Sequence, residues 1–398
     1  MTPSGERQFG ESTVRGIPYV FVLKDYLPWI IAGLVVLALV IGGVVLTRVA
    51  PEATATLRRR PRPPRDHFRS GDESPAPLKR AGIVINPTKF TDLPAVRGRI
   101  TATCLANGWG EPHFYETTVE DPGQGQAAQA VRDGVDLVCT LGGDGTVRNV
   151  ATALVGTETA LGILPAGTGN LLARNLDLPV SLETAVAVAL TGRNRRIDVG
   201  ELVLGAAAGD AADADADADE AVEPAEPVEP ETHYFLVMSG VGMDAQIMAG
   251  TNENLKAKVG WPAYMVSGLK HLVSPEFRIS VKVDDDLEFR RRARMVVIGN
   301  CGRLLGGLVL MPNARVDDGQ LDAVIASPRG VVGWVPVATR VATRQRKGHP
   351  TLDHKACKEI RVRTDRPVPV QIDGDVIGEA TEVSATVRPG CLTVRVSQ

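Results

Sequence analysis

The chain lacks paired cysteines and lacks an excess of charge of either sign. Its five cysteines, Cys104, Cys139, Cys301, Cys357 and Cys391, stand far apart, are odd in number and include no CxxC spacing. A disulfide framework and a cysteine-based zinc site are thereby excluded, and buried free thiols in a reduced compartment are expected. The formal net charge is only −3 over 398 residues, so no global field points to nucleic acid. What remains is ordinary for a globular enzyme, 44% hydrophobic and 23% charged, in a chain long enough for two domains.

The near-neutral sum conceals strong asymmetry. Residues 1–28 form an N-terminal flank. Trp29–Leu46 then carries no charge and is dominated by Ile, Leu, Val, Ala and Gly, and no face of it is polar. Extended to residues 29–47, it reaches about 30 Å as a helix, the thickness of a bilayer's hydrocarbon layer. Tyr26 and Trp29 sit at one end, where amphipathic rings favour the interface. Arg48, Arg58, Arg59, Arg60, Arg62, Arg65 and Arg69 crowd the other, which puts the C-terminal side in the cytoplasm. The run is long for a signal-peptide core and begins late, so it reads as a retained transmembrane anchor. Residues 48–79, rich in Arg and Pro, read as a tether whose cations can lie against anionic lipid headgroups.

From Arg80 the pattern is α/β. Strands are expected at Ala81–Ile85, His113–Glu116, Asp136–Leu141 and Ala160–Leu164, alternating with helices at Leu93–Leu105, Gln124–Asp133 and Leu182–Thr191, the last with Ser181 as N-cap and Gly192 as C-terminal cap. Such alternation predicts a parallel sheet over residues 80–192. Beyond Arg193 short alternating runs predict a mostly antiparallel β domain over 193–398, with strands at Ile197–Leu204, His233–Ser239, Phe277–Val283, Arg294–Gly299, Leu321–Ala326, Ile360–Arg363, Val368–Ile372 and Leu392–Val396. Helices are expected at Trp261–Val273 and Trp334–Lys347. The stretch 205–232, with Ala-Asp and then Glu-Pro repeats, has almost no large apolar residue and reads as a solvated acidic loop.

Two glycine-rich turns carry the chemistry. Leu141-Gly142-Gly143-Asp144-Gly145-Thr146 and Leu164-Pro165-Ala166-Gly167-Thr168-Gly169-Asn170 each follow an apolar strand and precede a helix. Two sets of free backbone N–H groups at one sheet edge suit a polyphosphate. Gly142, Gly143 and Gly145 let the backbone approach phosphate oxygens, and Thr146 and Thr168 add hydroxyl donors. Asn170 would orient the backbone or cap the helix Leu171–Asn175, and Arg174 follows as a phosphate-facing or plain surface cation. A carboxylate beside a polyanion is repulsive, so Asp144 implies Mg²⁺ or a substrate hydroxyl next to it; the alternative is an Asx bond stabilising the turn. On the first reading Asp144→Ala abolishes turnover and leaves melting nearly unchanged.

These residues resemble the diacylglycerol kinase/sphingosine kinase family of lipid kinases, in its bacterial branch, from about Arg80 to Val396. The resemblance rests on Asn86-Pro87, the GGDGT motif at Gly142–Thr146, the run Leu164–Leu176, Gly240-Val241-Gly242-Met243-Asp244-Ala245, Asp318-Gly319-Gln320-Leu321-Asp322 and Gln371-Ile372-Asp373-Gly374-Asp375. It implies an α/β domain like those of NAD kinases and phosphofructokinases, a C-terminal antiparallel β-sandwich, and an ATP cleft between them. Asn86, Thr118 and Gly142–Thr146 fall where the family binds ATP, with Gly167, Thr168 and Asn170 beside them. The family's structural Mg²⁺ site matches Arg315, Asp318 and Gln320, the carboxylate coming from Asp318 and backbone carbonyls from the other two. Asp375 matches the proposed general base but stands where the family often has Glu, and Asn149 replaces an acidic residue often seen after the first turn.

The expected function is therefore transfer of the ATP γ-phosphate to the hydroxyl of a membrane lipid, diacylglycerol or a sphingoid-like lipid, with Asp375 or Asp144 accepting the proton. The segments Trp261–Leu272 and Gly302–Met311 are an acyl-chain groove or ordinary core. The alternatives are a kinase of a soluble substrate and a non-catalytic, membrane-tethered binding protein. A homodimer on the membrane, without a nucleic-acid partner, is the expected assembly.

Overall fold

In the computed structural model the described residues are 78–205, 231–242, 276–304, 308–328, 333–334, 337 and 352–398. The anchor at Trp29–Leu46, the tether, most of the acidic stretch, and the helices expected at Trp261–Val273 and over most of Trp334–Lys347 lie outside them. Among the described residues no helix is long and apolar enough to cross a membrane.

Short apolar runs become strands β1 (Ala81–Ile85), β2 (His113–Glu116), β3 (Leu137–Gly142) and β4 (Ala160–Pro165). They pair in parallel in the order β2-β1-β3-β4. Between them run helices α1 (Leu93–Ala106), α2 (Gln124–Arg132) and α3 (Asp144–Leu154), followed by α4 (Leu171–Asn175) and α5 (Leu182–Thr191). Successive side chains of a strand point to opposite faces, which splits the core in two. Ile83 and Ile85 of β1 pack with α1 and α5, whereas Val84 packs with α2 and α3. Because the chain leaves β1 toward β2 on one side and returns to β3 on the other, the carboxyl ends of β1 and β3 form a topological switch point, where α/β sheets bind ligands.

Helix ends follow local chemistry, with one departure from expectation. Asp92 caps α1, accepting from Ala95 N at 2.9 Å. Ser181 holds the N-cap position of α5 as expected, but its hydroxyl bonds the Thr184 hydroxyl at 2.7 Å instead of a backbone N–H. Gly192 does end α5, but with φ −68°. Its requirement is space, since a Cβ there would lie 2.3 Å from Val396 O and 2.5 Å from Val188 O.

The second half comprises β5 (Arg193–Gly205), β6 (Thr232–Phe235), β7 (Met238–Gly242), β8 (Phe277–Val283), β9 (Phe289–Ala293), β10 (Met295–Gly299), β11 (Leu321–Ala326), β12 (Leu352–Cys357), β13 (Glu359–Ile372) and β14 (Asp375–Val396). Their pairings are antiparallel, except that Val394 of β14 lies parallel to Leu161 of β4. That last pairing stitches both halves into one continuous sheet. Register shifts in β13, between Arg363 and Val368, let its first part pair with β8 and its last part with β7. A strand that changes partners at such irregularities makes the corner of a sandwich. Phe277 and Ile279 of β8 accordingly share one core with Val296 of β10, Leu321 of β11 and Val370 of β13. The acidic stretch joins β5 and β6, which pair as neighbours with Val203 opposite Thr232.

Candidate active site

The glycine turns lie at the carboxyl ends of β3 and β4, with Leu141 opposite Leu164 and Gly142 opposite Pro165. They touch backbone to backbone. A Cβ on Gly167 would lie 2.6 Å from the Gly143 Cα, and one on Gly142 would lie 2.6 Å from both Cβ and Oγ1 of Thr146. None of Gly142, Gly143, Gly145, Gly167 or Gly169 has positive φ. These glycines are therefore demanded by close approach rather than by an unusual backbone. The result is a floor without side chains, bordered by the first turn of α3, whose N–H groups have no partner within the helix. Such a floor fits the phosphates of a nucleotide, with Gly142, Gly143, Gly145 and Gly167 as its main-chain surface.

Asp144 ties the two turns together. Its Oδ1 accepts from Leu171 N at 2.6 Å, so the carboxylate of the first turn caps the helix that follows the second. Its Oδ2 would lie 2.5 Å from a Cβ on Gly169. Burial pushes its carboxyl up, with the Asp375 charge adding to the effect and backbone N–H groups opposing it. The bond runs across turns, so it is neither a local Asx bond nor a free carboxylate. In the second turn Asn170 adopts a left-handed conformation, φ 48°. It closes a small ring, accepting from Gly167 N at 2.9 Å and donating to Gly167 O at 2.7 Å. Arg174 turns back to donate to Gly169 O at 2.8 Å. Thr168 is exposed beside the floor, whereas the Thr146 hydroxyl is buried beneath Gly142. Asn149 donates to Gly145 O at 2.8 Å, so its amide is spent on its own helix.

The two remaining nucleotide candidates lie on the same edge. Asn86, just past β1, donates its N–H to Leu141 O at 3.1 Å, and its Oδ1 accepts from Thr88 N at 3.1 Å. Thr118, past β2, belongs to an exposed turn in which its hydroxyl accepts from Asp121 N at 3.0 Å. Two strand spacings separate β2 from β3, roughly 10 Å.

The Asp-Gly-Asp motif reaches this floor from the other half of the sheet. Asp373 and Gly374, with φ 48° and 97°, form the two-residue turn between β13 and β14. Asp373 is buried and accepts from Leu236, Val237 and Met238 N–H groups at 2.8, 2.8 and 3.0 Å. That capture explains why the strand expected over His233–Ser239 is broken into β6 and β7. Burial raises the Asp373 carboxyl above the usual carboxylate range. Asp375 emerges on the far side of the turn, 57% exposed. Its Oδ2 would lie 3.2 Å from a Cβ on Gly145. Arg148 of α3 holds it, with Nη2 at 2.8 Å from Asp375 Oδ2 and Nη1 donating to Ile372 O at 2.8 Å. The sequence alone assigned no role to Arg148 or Asp373; an Asp-Gly pair between two apolar runs is itself a hairpin signal that would have flagged the turn.

The Arg315–Gln320 loop lies elsewhere. Asp198 of β5 holds it, accepting from Gly319 N and from Gly390 N at 2.7 Å each. The adjacent Cys391 O accepts from Gly156 N just past the end of α3. The loop thus sits at the opposite end of α3 from the glycine turns, about 16 Å along the helix. Asp318 is raised by burial and by the Asp322 and Asp198 charges. A cation would relieve that crowding, which fits one carboxylate supplemented by the main-chain carbonyls of Arg315 and Gln320. No group of three or more His, Cys, Asp or Glu residues suited to a metal occurs among the described residues.

Comparison with known proteins agrees with this geometry. The diacylglycerol kinase catalytic domain model matches residues 81–202, and the YegS C-terminal NAD kinase beta sandwich-like domain model matches residues 236–396. The chain is 25% identical over 305 residues to a diacylglycerol kinase of Staphylococcus saprophyticus, covering 76% of this chain and 90% of the relative. It is 24% identical over 305 residues to that of Staphylococcus epidermidis, covering 76% and 87%. The crystal structure of a diacylglycerol kinase from Bacillus anthracis shares the fold, with a TM-score of 0.57 at 20% identity over 80% of this chain and 97% of that one. With both domains present in succession and spanning the floor and the turn that faces it, the chain belongs to the diacylglycerol kinase family.

Proposed function

We propose that the protein transfers the γ-phosphate of ATP to the hydroxyl of a membrane lipid, with diacylglycerol as the first candidate acceptor. The observation that carries this reading is the meeting of the side-chain-free floor at Gly143 and Gly167 with an exposed carboxylate, Asp375, over Gly145. The names of the matching domain and relatives favour a lipid acceptor. So does Trp29–Leu46, an uncharged run suited to hold the chain at a membrane, with residues 48–398 on the cytoplasmic side and the arginines of 48–79 against anionic headgroups.

Phosphoryl transfer asks a protein mainly for positioning and charge management. ATP supplies the phosphoryl group and its Mg²⁺ the neutralising charge. The chain's own part is then specific. Main-chain N–H groups of the first turn and of α3 orient phosphate oxygens. Asp375 accepts the proton of the lipid hydroxyl as that oxygen becomes the nucleophile. Asp144, committed to Leu171 N, keeps the turns in register and is not the proton acceptor. The Asp318 loop, at the other end of α3, would hold a structural Mg²⁺ rather than one on the phosphates.

The test is transfer of radiolabelled γ-phosphate by the full chain in mixed micelles to diacylglycerol, a sphingoid base or a polyisoprenol. Label entering the organic phase with one of them, lost in Asp375→Asn, is expected. Label appearing only in a soluble acceptor such as a nicotinamide nucleotide would overturn the lipid reading.

A further inference from the structure

We infer that Arg148 is the positioning residue of the proton acceptor, holding the Asp375 carboxylate over the first glycine turn; the inference rests on the role proposed for Asp375. Arg148 lies on α3 one turn beyond Asp144, with its side chain only 13% exposed. Its planar fork makes two bonds in different directions. Nη1 donates to the Ile372 carbonyl at 2.8 Å, and Nη2 reaches Asp375 Oδ2 at 2.8 Å. One side chain therefore grips the β13–β14 turn by its main chain and by its carboxylate at once. A lysine, with one point of charge, cannot reproduce that grip.

The consequence for Asp375 is geometric. At 57% exposure the carboxylate would otherwise sweep through several rotamers. Oδ2 is fixed by Arg148 and lodged against Gly145, where a Cβ would lie 3.2 Å away. Arg148 thus leaves Oδ1 as the oxygen available to a lipid hydroxyl. The charge is matched as well. Asp144, Asp373 and Asp375 converge here, and the Asp375 charge acts on Asp144 while the Arg148 charge acts on Asp373. Arg148 is the cation that counters this group. Without it, the Asp375 carboxylate would stand beside Asp144 and Asp373 with its fixed orientation lost, and proton acceptance would suffer.

The pairing also bears on the shorter side chain at position 375. An aspartate reaches less far from its backbone than a glutamate. Arg148 ties the turn to α3 through Ile372 O, and from that position the short carboxylate of Asp375 lies over Gly145.

The experiment is a double-mutant cycle on the full chain: Arg148→Met, Arg148→Lys, Asp375→Asn and Arg148→Met/Asp375→Asn, each checked to melt above the assay temperature. Lipid phosphorylation is the readout, with kcat and the KM for ATP measured separately. Arg148→Met is expected to lower kcat about 10- to 100-fold with the ATP KM within about twofold, because a displaced acceptor costs transition-state stabilisation and not nucleotide binding. Arg148→Lys should recover part of the loss. In the Asp375→Asn background Arg148→Met should cost no more than about a further twofold, since residues acting as a unit are non-additive. If Arg148→Met keeps full kcat while Asp375→Asn is inactive, the positioning role is refuted and the proton-acceptor reading stands. If Arg148→Met lowers turnover while Asp375→Asn does not, the acceptor reading falls, and Arg148 acts on phosphate, which also ends the positioning role. A raised ATP KM with losses that multiply across the cycle would likewise refute positioning by Arg148.

Discussion

Replacing Gly167 by alanine isolates the feature on which the site depends. An ideal Cβ at position 167 falls 2.6 Å from the Gly143 Cα. Carbon atoms at rest sit about 3.5–4.0 Å apart, so the turns must separate by roughly 1 Å. The φ of Gly167 is not positive, so backbone preference adds no penalty and the whole effect is steric. Overpacking of this kind costs about 1–3 kcal/mol. For a domain of this size each kcal/mol moves the melting temperature by about 2–4 °C, which predicts a fall of roughly 2–12 °C. The functional loss should be larger, because a misplacement of about 1 Å can cost on the order of 100-fold. Gly98→Ala is the matched control. Gly98 lies on the exposed face of α1, with nothing within 4 Å of its added Cβ, so alanine there should stabilise by up to about 1 kcal/mol. The assay is a thermal melt with and without saturating Mg²⁺-ATP. Wild type and Gly98→Ala should gain about 2.7 kcal/mol at a hundredfold excess over Kd, and Gly167→Ala close to none. If Gly167→Ala keeps the full nucleotide-dependent shift, the floor between the turns is not where phosphate binds.

Asp144→Ala should lose melting stability as well as turnover, by about 1–3 kcal/mol, since it removes a charged acceptor from Leu171 N; an unchanged melt would contradict the cross-turn bond. Asp373→Asn leaves one of three N–H groups facing an amide donor, which should cost about 1–3 kcal/mol. Its pH dependence has a defined sign. Burial raises the Asp373 carboxyl above 3.8, so folded protein keeps a proton that the unfolded chain releases, and the associated stability falls as pH rises through that window. The advantage of wild type over Asp373→Asn in thermal melts should therefore be greatest near pH 4, roughly the unfolded value, and shrink toward neutrality. Asp318→Asn should abolish stabilisation by Mg²⁺ alone and leave the nucleotide-dependent melting shift intact, because the loop sits at the other end of α3; loss of both would place the metal with the phosphates.

How much of this was legible in the sequence divides along the range of the forces involved. Ala81–Ile85, His113–Glu116 and Leu182–Thr191 were readable because strand and helix there are set by local periodicity and by polar residues and glycines at their ends. The expected runs Ile360–Arg363 and Val368–Ile372 proved to be the two ends of one strand, β13; between them Thr364, Asp365, Arg366 and Pro367 interrupt the alternation just where the ladder with β14 shifts register. β9 escaped notice for a related reason. Its Arg290, Arg291 and Arg292 hide the alternation, and it is held by pairing with β8. The site divides in the same way. Both glycine turns were visible as composition, but the reason for Gly167, the Gly143 backbone, lies across the sheet. Arg148 looked like any helix cation until the β13–β14 turn brought Ile372 and Asp375 against it. A motif thus announces what a site must avoid, here side chains on its floor. Which charges converge on it is decided by topology, and that is why the cation at position 148 carries more of the chemistry than its neighbours in sequence suggest.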